Sequence, residues 1–228
     1  MQDHPGDAGF PDPETRHPIR LADGAAHAGT VFLAAVLDHP RIAAGDYSYA
    51  SAFDPPADGA GRAARLAPYL FDFSPERLVI GRFCQIADGV RFITASANHR
   101  RDGFSSFPFV VFGGGAPAGR ASMPGPGPDT VIGNDVWIGQ GARILPGARI
   151  GDGVIIGTGA VAGGAVPDYA VVAGNPGRVL RMRFDPGTVA RLRALAWWDW
   201  PIAAILAAEA AICGGDLAAL ERAAPAGG

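Results

Sequence analysis

The 228-residue sequence contains no lysine; all 19 of its basic residues are arginine. The absence fits the codon bias of a GC-rich genome, and it means that any basic contact to a cofactor falls to arginine. Cysteine is almost as scarce. Cys84 and Cys213 stand far apart, which excludes a disulfide framework. Histidine is thin too: of five, only His99 lies beyond residue 39. No apolar run is long enough to span a bilayer, the stretch Val31 to Leu37 being far too short. The opening MQDHPGDAGFPDPETRHP is polar and broken by proline, unlike a signal peptide. A cytoplasmic protein is the resulting expectation. A net charge of −3 indicates no polyanion, so no nucleic-acid partner. What is abundant is glycine (33) and proline (20) in a chain that is still 48% apolar, which suits a fold built of turns rather than a disordered one.

Between Thr130 and Pro167 the sequence repeats every six residues. Ile132, Ile138, Ile144, Ile150, Ile156 and Ala162 are the anchors, and all but Ile144 precede a glycine. Two residues before each anchor stands a small or β-branched residue: Thr130, Val136, Ala142, Ala148, Val154, Ala160. Six is not a helical period, because 3.6 residues per turn would rotate the anchors off any one face. It suits short strands, in which the anchor and the residue two before it both point inward. The glycine allows unusual dihedrals or a close approach of neighbouring chain. Three units close one coil of eighteen residues, and stacked coils form a parallel solenoid with aliphatic ladders inside. Cys84 precedes the earlier anchor Ile86 by two residues, so a buried structural thiol is expected rather than a nucleophile.

The run VIGNDVWIGQGARILPGARIGDGVIIGTGAVAGGAVPDYAVVAGNPGRVL resembles the hexapeptide-repeat acyltransferases. The resemblance implies a mainly β fold, a left-handed parallel β-helix. Its handedness comes from the likeness alone, since the general crossover rule favours the right hand. The expected organisation is a flexible extension over 1–28, a β-helix over 29–184 and a helical segment over 185–228. Residues 54–68 are an Ala/Pro/Gly insert with a short helix. The period is visible from Ile80-Gly81 to Phe92 and is absent over 94–129. A gap of that length in a compact solenoid is usually functional or disordered. Its phenylalanines predict packing, and its second half, GGGAPAGRASMPGPGPD, predicts flexibility. Asp185-Pro186 predicts a helix over 186–196, a second runs from after Trp200-Pro201 to Gly214-Gly215, and Asp216 caps a third. Trp197, Trp198 and Trp200 are expected to pack as a lid or a subunit contact rather than to cage a ligand.

The long gap opens Ala97-Asn98-His99-Arg100-Arg101-Asp102, followed by Ser105-Ser106-Phe107-Pro108-Phe109. A histidine at the border of coils and loop, in polar company, is a candidate base, because imidazole accepts a proton near neutral pH. Either Asp102 or a backbone carbonyl can orient it. The combination NHR…SSFPF, GNDVWIG, AGNP and WWDWPI, spread over about residues 40 to 210, is similar to the xenobiotic acetyltransferase branch of that family. That branch includes hexapeptide-type chloramphenicol and streptogramin acetyltransferases. The likeness implies acetyl-CoA as donor, His99 as general base, and a homotrimer with sites in clefts between neighbours. The activity implied is acetyl transfer to a hydroxyl of a small molecule such as an antibiotic. The wider family's pattern places the cofactor after the Ile-Gly of two successive coils, here at Gln140 and Thr158, with backbone at Gly141, Gly159 and Ala160. Arg178 and Arg181 match basic residues that meet phosphates. The family's Thr-Lys pair after the last anchor is Gly163-Gly164 here, a departure. Tyr47, Tyr49, Phe104 and Trp137 are candidates for an apolar acceptor wall, with Trp137 pointing outward. Alternatives are a sugar or polysaccharide O-acetyltransferase and a non-catalytic binding solenoid. A metal enzyme would need three histidines gathered from adjacent coils, and only His99 lies near them.

Overall fold

The six-residue period folds into strands of two to four residues that lie along three faces. The computed structural model describes residues 9–113 and 124–225. On the first face, Ile42–Ala44, Leu78–Ile80, Thr130–Ile132, Arg149–Ile150 and Ala165–Val166 pair in parallel. On the second, Tyr49–Ser51, Gln85–Ile86, Trp137–Ile138, Ile155–Ile156 and Ala170–Ala173 do the same. The third holds Arg91–Phe92, Arg143–Ile144 and Val161–Ala162. The registers place anchor on anchor, as in the column Ile86, Ile138, Ile156, Val172. The second inward row is buried as expected: Val136, Ala142, Ala148, Val154 and Ala160 are all fully inaccessible. This is a parallel β-helix.

Two details differ from the regular pattern. Ile150 pairs with Val166, sixteen residues on, although Ile132 pairs with Ile150 across eighteen. The period therefore slips after Ala162, where Gly163-Gly164 cuts the corner short: Gly164 takes φ +70° and its carbonyl accepts from Arg149 N–H at 2.8 Å. The glycine after each anchor, moreover, serves close approach rather than dihedral freedom. A Cβ on Gly139 would lie 2.7 Å from the Thr158 nitrogen. The left-handed residue comes two places later, at Gly141 (φ +68°).

The second face is closed at both ends by antiparallel strands, Thr30–Phe32 on Tyr49–Ser51 and Arg178–Met182 on Ala170–Ala173, which leaves its outermost parallel strands paired. Helix α1 (Gly59–Leu66), capped by the Asp58 side chain, lies in the expected 54–68 insert and packs beside Arg91–Phe92. Asp185 caps α2 (Pro186–Leu195) through Gly187 and Thr188 N–H. The single helix expected after Pro201 is two, α3 (Ile202–Ala207) and α4 (Glu209–Gly214), broken at Ala208. Ala208 is buried in the cluster formed by Trp197, Trp198 and Trp200, so packing overrides an uninterrupted helical sequence. Asp216 caps α5 (Leu217–Ala223). The tryptophans are a packed lid with Tyr169 and Leu220.

The described part of the extension, residues 9–28, is largely exposed and is tied to the first coil by Phe10, whose ring lies 5.5 Å from Tyr47. In the gap, Phe107 packs on Phe109 and Phe112 at 4.8 and 5.3 Å, while Phe104 is fully exposed. Three of the four loop phenylalanines thus pack together, and Phe104 does not. Residues 114–123, the heart of the stretch expected to be flexible, lie outside the described residues. Among the described residues no helix is long and apolar enough to cross a membrane.

Candidate active site

The chain leaves the third face after Phe92, makes a 3₁₀ turn at Ala95–Ala97, and presents His99 two residues later. The imidazole Nδ1 lies 2.9 Å from the Ser106 carbonyl oxygen. A carbonyl can only accept, so Nδ1 carries the proton and, in the neutral ring, Nε2 keeps its lone pair. Of the two orienting groups expected, the backbone carbonyl is therefore the one that holds the ring. Asp102 is engaged elsewhere: Arg100 Nε donates to its Oδ1 at 2.6 Å, and that bond holds its carboxyl below the usual range.

His99 borders a cleft of about 720 Å³. Part of its lining is aromatic, with Tyr69, Phe71 and Phe73, and the rings of Phe71 and Phe73 stack at 5.1 Å and 8°. Glu76, Pro108 and Val111 complete much of the lining. None of Tyr69, Phe71, Phe73 or Glu76 was singled out from the sequence. The signal that locates them is the repeat itself. Residues just before Leu78 occupy the same corner as those just before Thr130, because Leu78 and Thr130 are register partners. Arg77 N–H donates to Asp129 Oδ1 at 2.7 Å across that corner, so the segment before Leu78 faces the gap.

A second cleft, of about 420 Å³, shares Asn98 with the first and runs down the same corner past Leu145, Gly163, Gly164 and Arg178. Gly164 adds no side chain, and a Cβ built on it would meet nothing within 4 Å. Arg101 and Arg178 both line this cleft, so two guanidinium groups are available to an anionic ligand there. Arg181 lies on the same exposed strand as Arg178 but does not line the cleft.

The other predicted residues gather elsewhere. Gln140 and Thr158 do stack, with Gly159 N–H donating to the Gln140 carbonyl at 2.8 Å. Together with Gly141, Gly159 and Ala160 they form the corner between the second and third faces, not the corner that carries His99. Gln140 shares a cleft of about 190 Å³ with Tyr49 and Trp137, and Trp137 points outward as expected. Tyr47 forms no wall of either cleft beside His99. A left-handed turn (φ 62°) lays its ring on Phe83 at 5.0 Å, and it is buried. Cys84 is fully buried, and burial pushes its thiol up to about 11, which removes it as a nucleophile. Among the described residues no group of three or more His, Cys, Asp or Glu side chains is placed to hold a metal ion.

Comparison with known proteins agrees with this architecture. The family model described as bacterial transferase hexapeptide (six repeats) matches residues 129–164. A chloramphenicol acetyltransferase of Agrobacterium fabrum is 42% identical over 186 residues, which cover 80% of this chain and 87% of that protein. A virginiamycin A acetyltransferase of Staphylococcus aureus is 38% identical over 217 residues, 93% of each chain. A probable macrolide acetyltransferase of Lysinibacillus sphaericus is 44% identical over 133 residues, covering 57% of this chain and 73% of that one. On these likenesses, and on the stacked coils built of six-residue units, the chain belongs to the xenobiotic acetyltransferase branch of the hexapeptide-repeat acetyltransferases.

Proposed function

We propose that this protein transfers acetyl from acetyl-CoA to a hydroxyl of a bulky small molecule, an antibiotic of the chloramphenicol or streptogramin type, with His99 as general base. The observation that carries the reading is the bond from His99 Nδ1 to the Ser106 carbonyl, which leaves Nε2 as the free acceptor beside a cleft with an aromatic wall. Acetyl-CoA supplies an activated acyl group as its thioester. His99 Nε2 takes the proton of the acceptor hydroxyl as the oxygen attacks the acetyl carbon. It then returns that proton to the departing thiolate, so the ring ends neutral. Transfer is direct, since neither cysteine is placed for an acyl-enzyme.

Arg178 is the first phosphate partner in this reading and Arg181 the second. The likeness to the family further supports a left-handed coil and a homotrimer. In such an assembly the corner of Gln140, Gly141, Thr158, Gly159 and Ala160 would complete a neighbour's cleft. That arrangement reconciles the cofactor residues with their separation from His99 in one chain. Tyr49, Trp137 and Phe104 remain candidates for the acceptor side on the same grounds. The stacked Phe71 and Phe73 offer the acceptor an aromatic platform. The deciding experiment measures free thiol release from acetyl-CoA over a panel of chloramphenicol, streptogramins, macrolides and sugars. Turnover confined to sugars would overturn the acceptor class, and no turnover with any hydroxyl compound would overturn the reaction.

A further inference from the structure

We infer that Glu76 is a positioning residue for His99: it holds from a distance the 3₁₀ turn that presents the base. The inference rests on the proposed role of His99.

Glu76 is 2% exposed, at the corner before Leu78, yet it belongs to the wall of the His99 cleft. Its carboxylate accepts from Ser96 N–H at 2.6 Å and from Ser96 Oγ at 3.2 Å. Ser96 is the middle residue of the turn Ala95–Ala97. The residue in the N-cap place, Thr94, makes no side-chain cap bond, and its buried Oγ1 has no partner among the described residues. The cap therefore comes from the previous coil. A negative group at the open N–H end of the turn is electrostatically favourable as well.

The proton count fixes the rest of the network. The one hydroxyl proton of Ser96 goes to the carboxylate, so in the 2.7 Å contact between Ser74 Oγ and Ser96 Oγ the donor is Ser74. Ser74 Oγ in turn accepts from Phe71 N–H at 2.9 Å. One buried carboxylate thus orders both sides of the cleft, the turn leading to the base and the backbone of the aromatic wall. From the turn, Asn98 is extended (φ −75°, ψ 148°) and sends the chain to His99, where the Ser106 carbonyl fixes the ring. Burying a carboxylate is costly unless its oxygens are well satisfied. Here two donors from a single residue meet it, at the one turn that aims the base.

The test is steady-state kinetics on Glu76→Ala, Glu76→Gln, Ser96→Ala, His99→Ala and the double variant Glu76→Ala/His99→Ala, each first checked for folding by thermal unfolding. Glu76→Ala is expected to lower kcat by about 10- to 100-fold, the scale of a displacement near 1 Å at a reacting group, with the KM for acetyl-CoA within about twofold of wild type. Glu76→Gln should recover most of that loss, because its amide oxygen accepts from Ser96 N–H and its amide NH₂ donates to Ser96 Oγ. The double variant should be no slower than His99→Ala alone, because the effect runs through the base. If Glu76→Ala does not fold, Ser96→Ala shows the same non-additivity on a smaller loss, about threefold. A folded Glu76→Ala enzyme with wild-type kcat overturns the inference, as does full additivity with His99→Ala. Wild-type turnover by His99→Ala overturns the base assignment first, and this inference with it.

Discussion

Replacing His99 with alanine should separate activity from stability. The ring is exposed, and among the described residues its hydrogen bond is the 2.9 Å contact from Nδ1 to the Ser106 carbonyl. Losing one neutral hydrogen bond at an exposed site costs about 0.5–1.5 kcal/mol at most, and the Ser106 carbonyl can turn to water. Loss of a general base costs about 10²- to 10⁴-fold in turnover, which at 1.36 kcal/mol per tenfold is about 3–5 kcal/mol of transition-state stabilisation. The variant should therefore melt within a few degrees of wild type while kcat collapses. The assay is free thiol release from acetyl-CoA with a saturating acceptor, run beside a thermal melt. Asp102→Asn is the internal control. Its carboxylate pairs with Arg100 and not with the imidazole, so it should leave kcat within about twofold, far from the loss seen when a carboxylate truly orients a catalytic histidine. A His99→Ala enzyme that keeps near-normal turnover would refute the reasoning. A collapse in Asp102→Asn equal to that of His99→Ala would show that the ring is oriented by the carboxylate in the working enzyme.

Arg178→Ala should raise the KM for acetyl-CoA about tenfold, the worth of one charge-assisted bond to phosphate, and by more than Arg181→Ala, because Arg178 lines the cleft that shares Asn98 with that of His99 and Arg181 does not; initial rates against acetyl-CoA concentration check this. Phe73→Ala should raise the acceptor KM about three- to tenfold and leave that for acetyl-CoA unchanged, since the exposed ring stacks on Phe71 in the acceptor wall. Ile144→Ala empties a fully buried rung between Phe92 and Ala162 and should cost about 2–5 kcal/mol in denaturant unfolding. Cys84 gives a pH signature. Its thiol is raised from 9.0 to about 11 by burial, so the unfolded chain loses that proton first as pH rises. Its contribution is complete below about pH 9 and is lost progressively toward pH 11, about 2–3 kcal/mol in all. Comparing unfolding of wild type and Cys84→Ala across that window should show the wild type losing more; parallel curves would contradict the shift.

Much of the coil was legible because a six-residue period leaves little freedom. Each anchor and its partner two residues earlier had to point inward, and Val136, Ala142 and Ala148 are buried accordingly. The helix caps Asp185 and Asp216 were equally readable, because an N-cap is a local bond. The slip after Ala162 was not: Ala162-Gly163 repeats the motif, and only the pairing of Ile150 with Val166 reveals a corner two residues shorter. The break at Ala208 was hidden too, since it answers to the tryptophan cluster rather than to helix propensity.

At the site the division is sharper. The sequence by itself determined the solenoid, the interruption at 94–129, and His99 as its chemically distinctive residue, all from period and residue type. Tertiary structure decided what surrounds that histidine. It set the Ser106 carbonyl on Nδ1 in place of Asp102, brought Tyr69, Phe71, Phe73 and Glu76 to face it, and moved Gln140 and Thr158 to another corner of the coil. The reason is geometric. A period says which residues share a column, but the neighbours of a loop residue depend on where the loop lands, and that is fixed by hydrogen bonds to chain many residues away, such as Glu76 on Ser96.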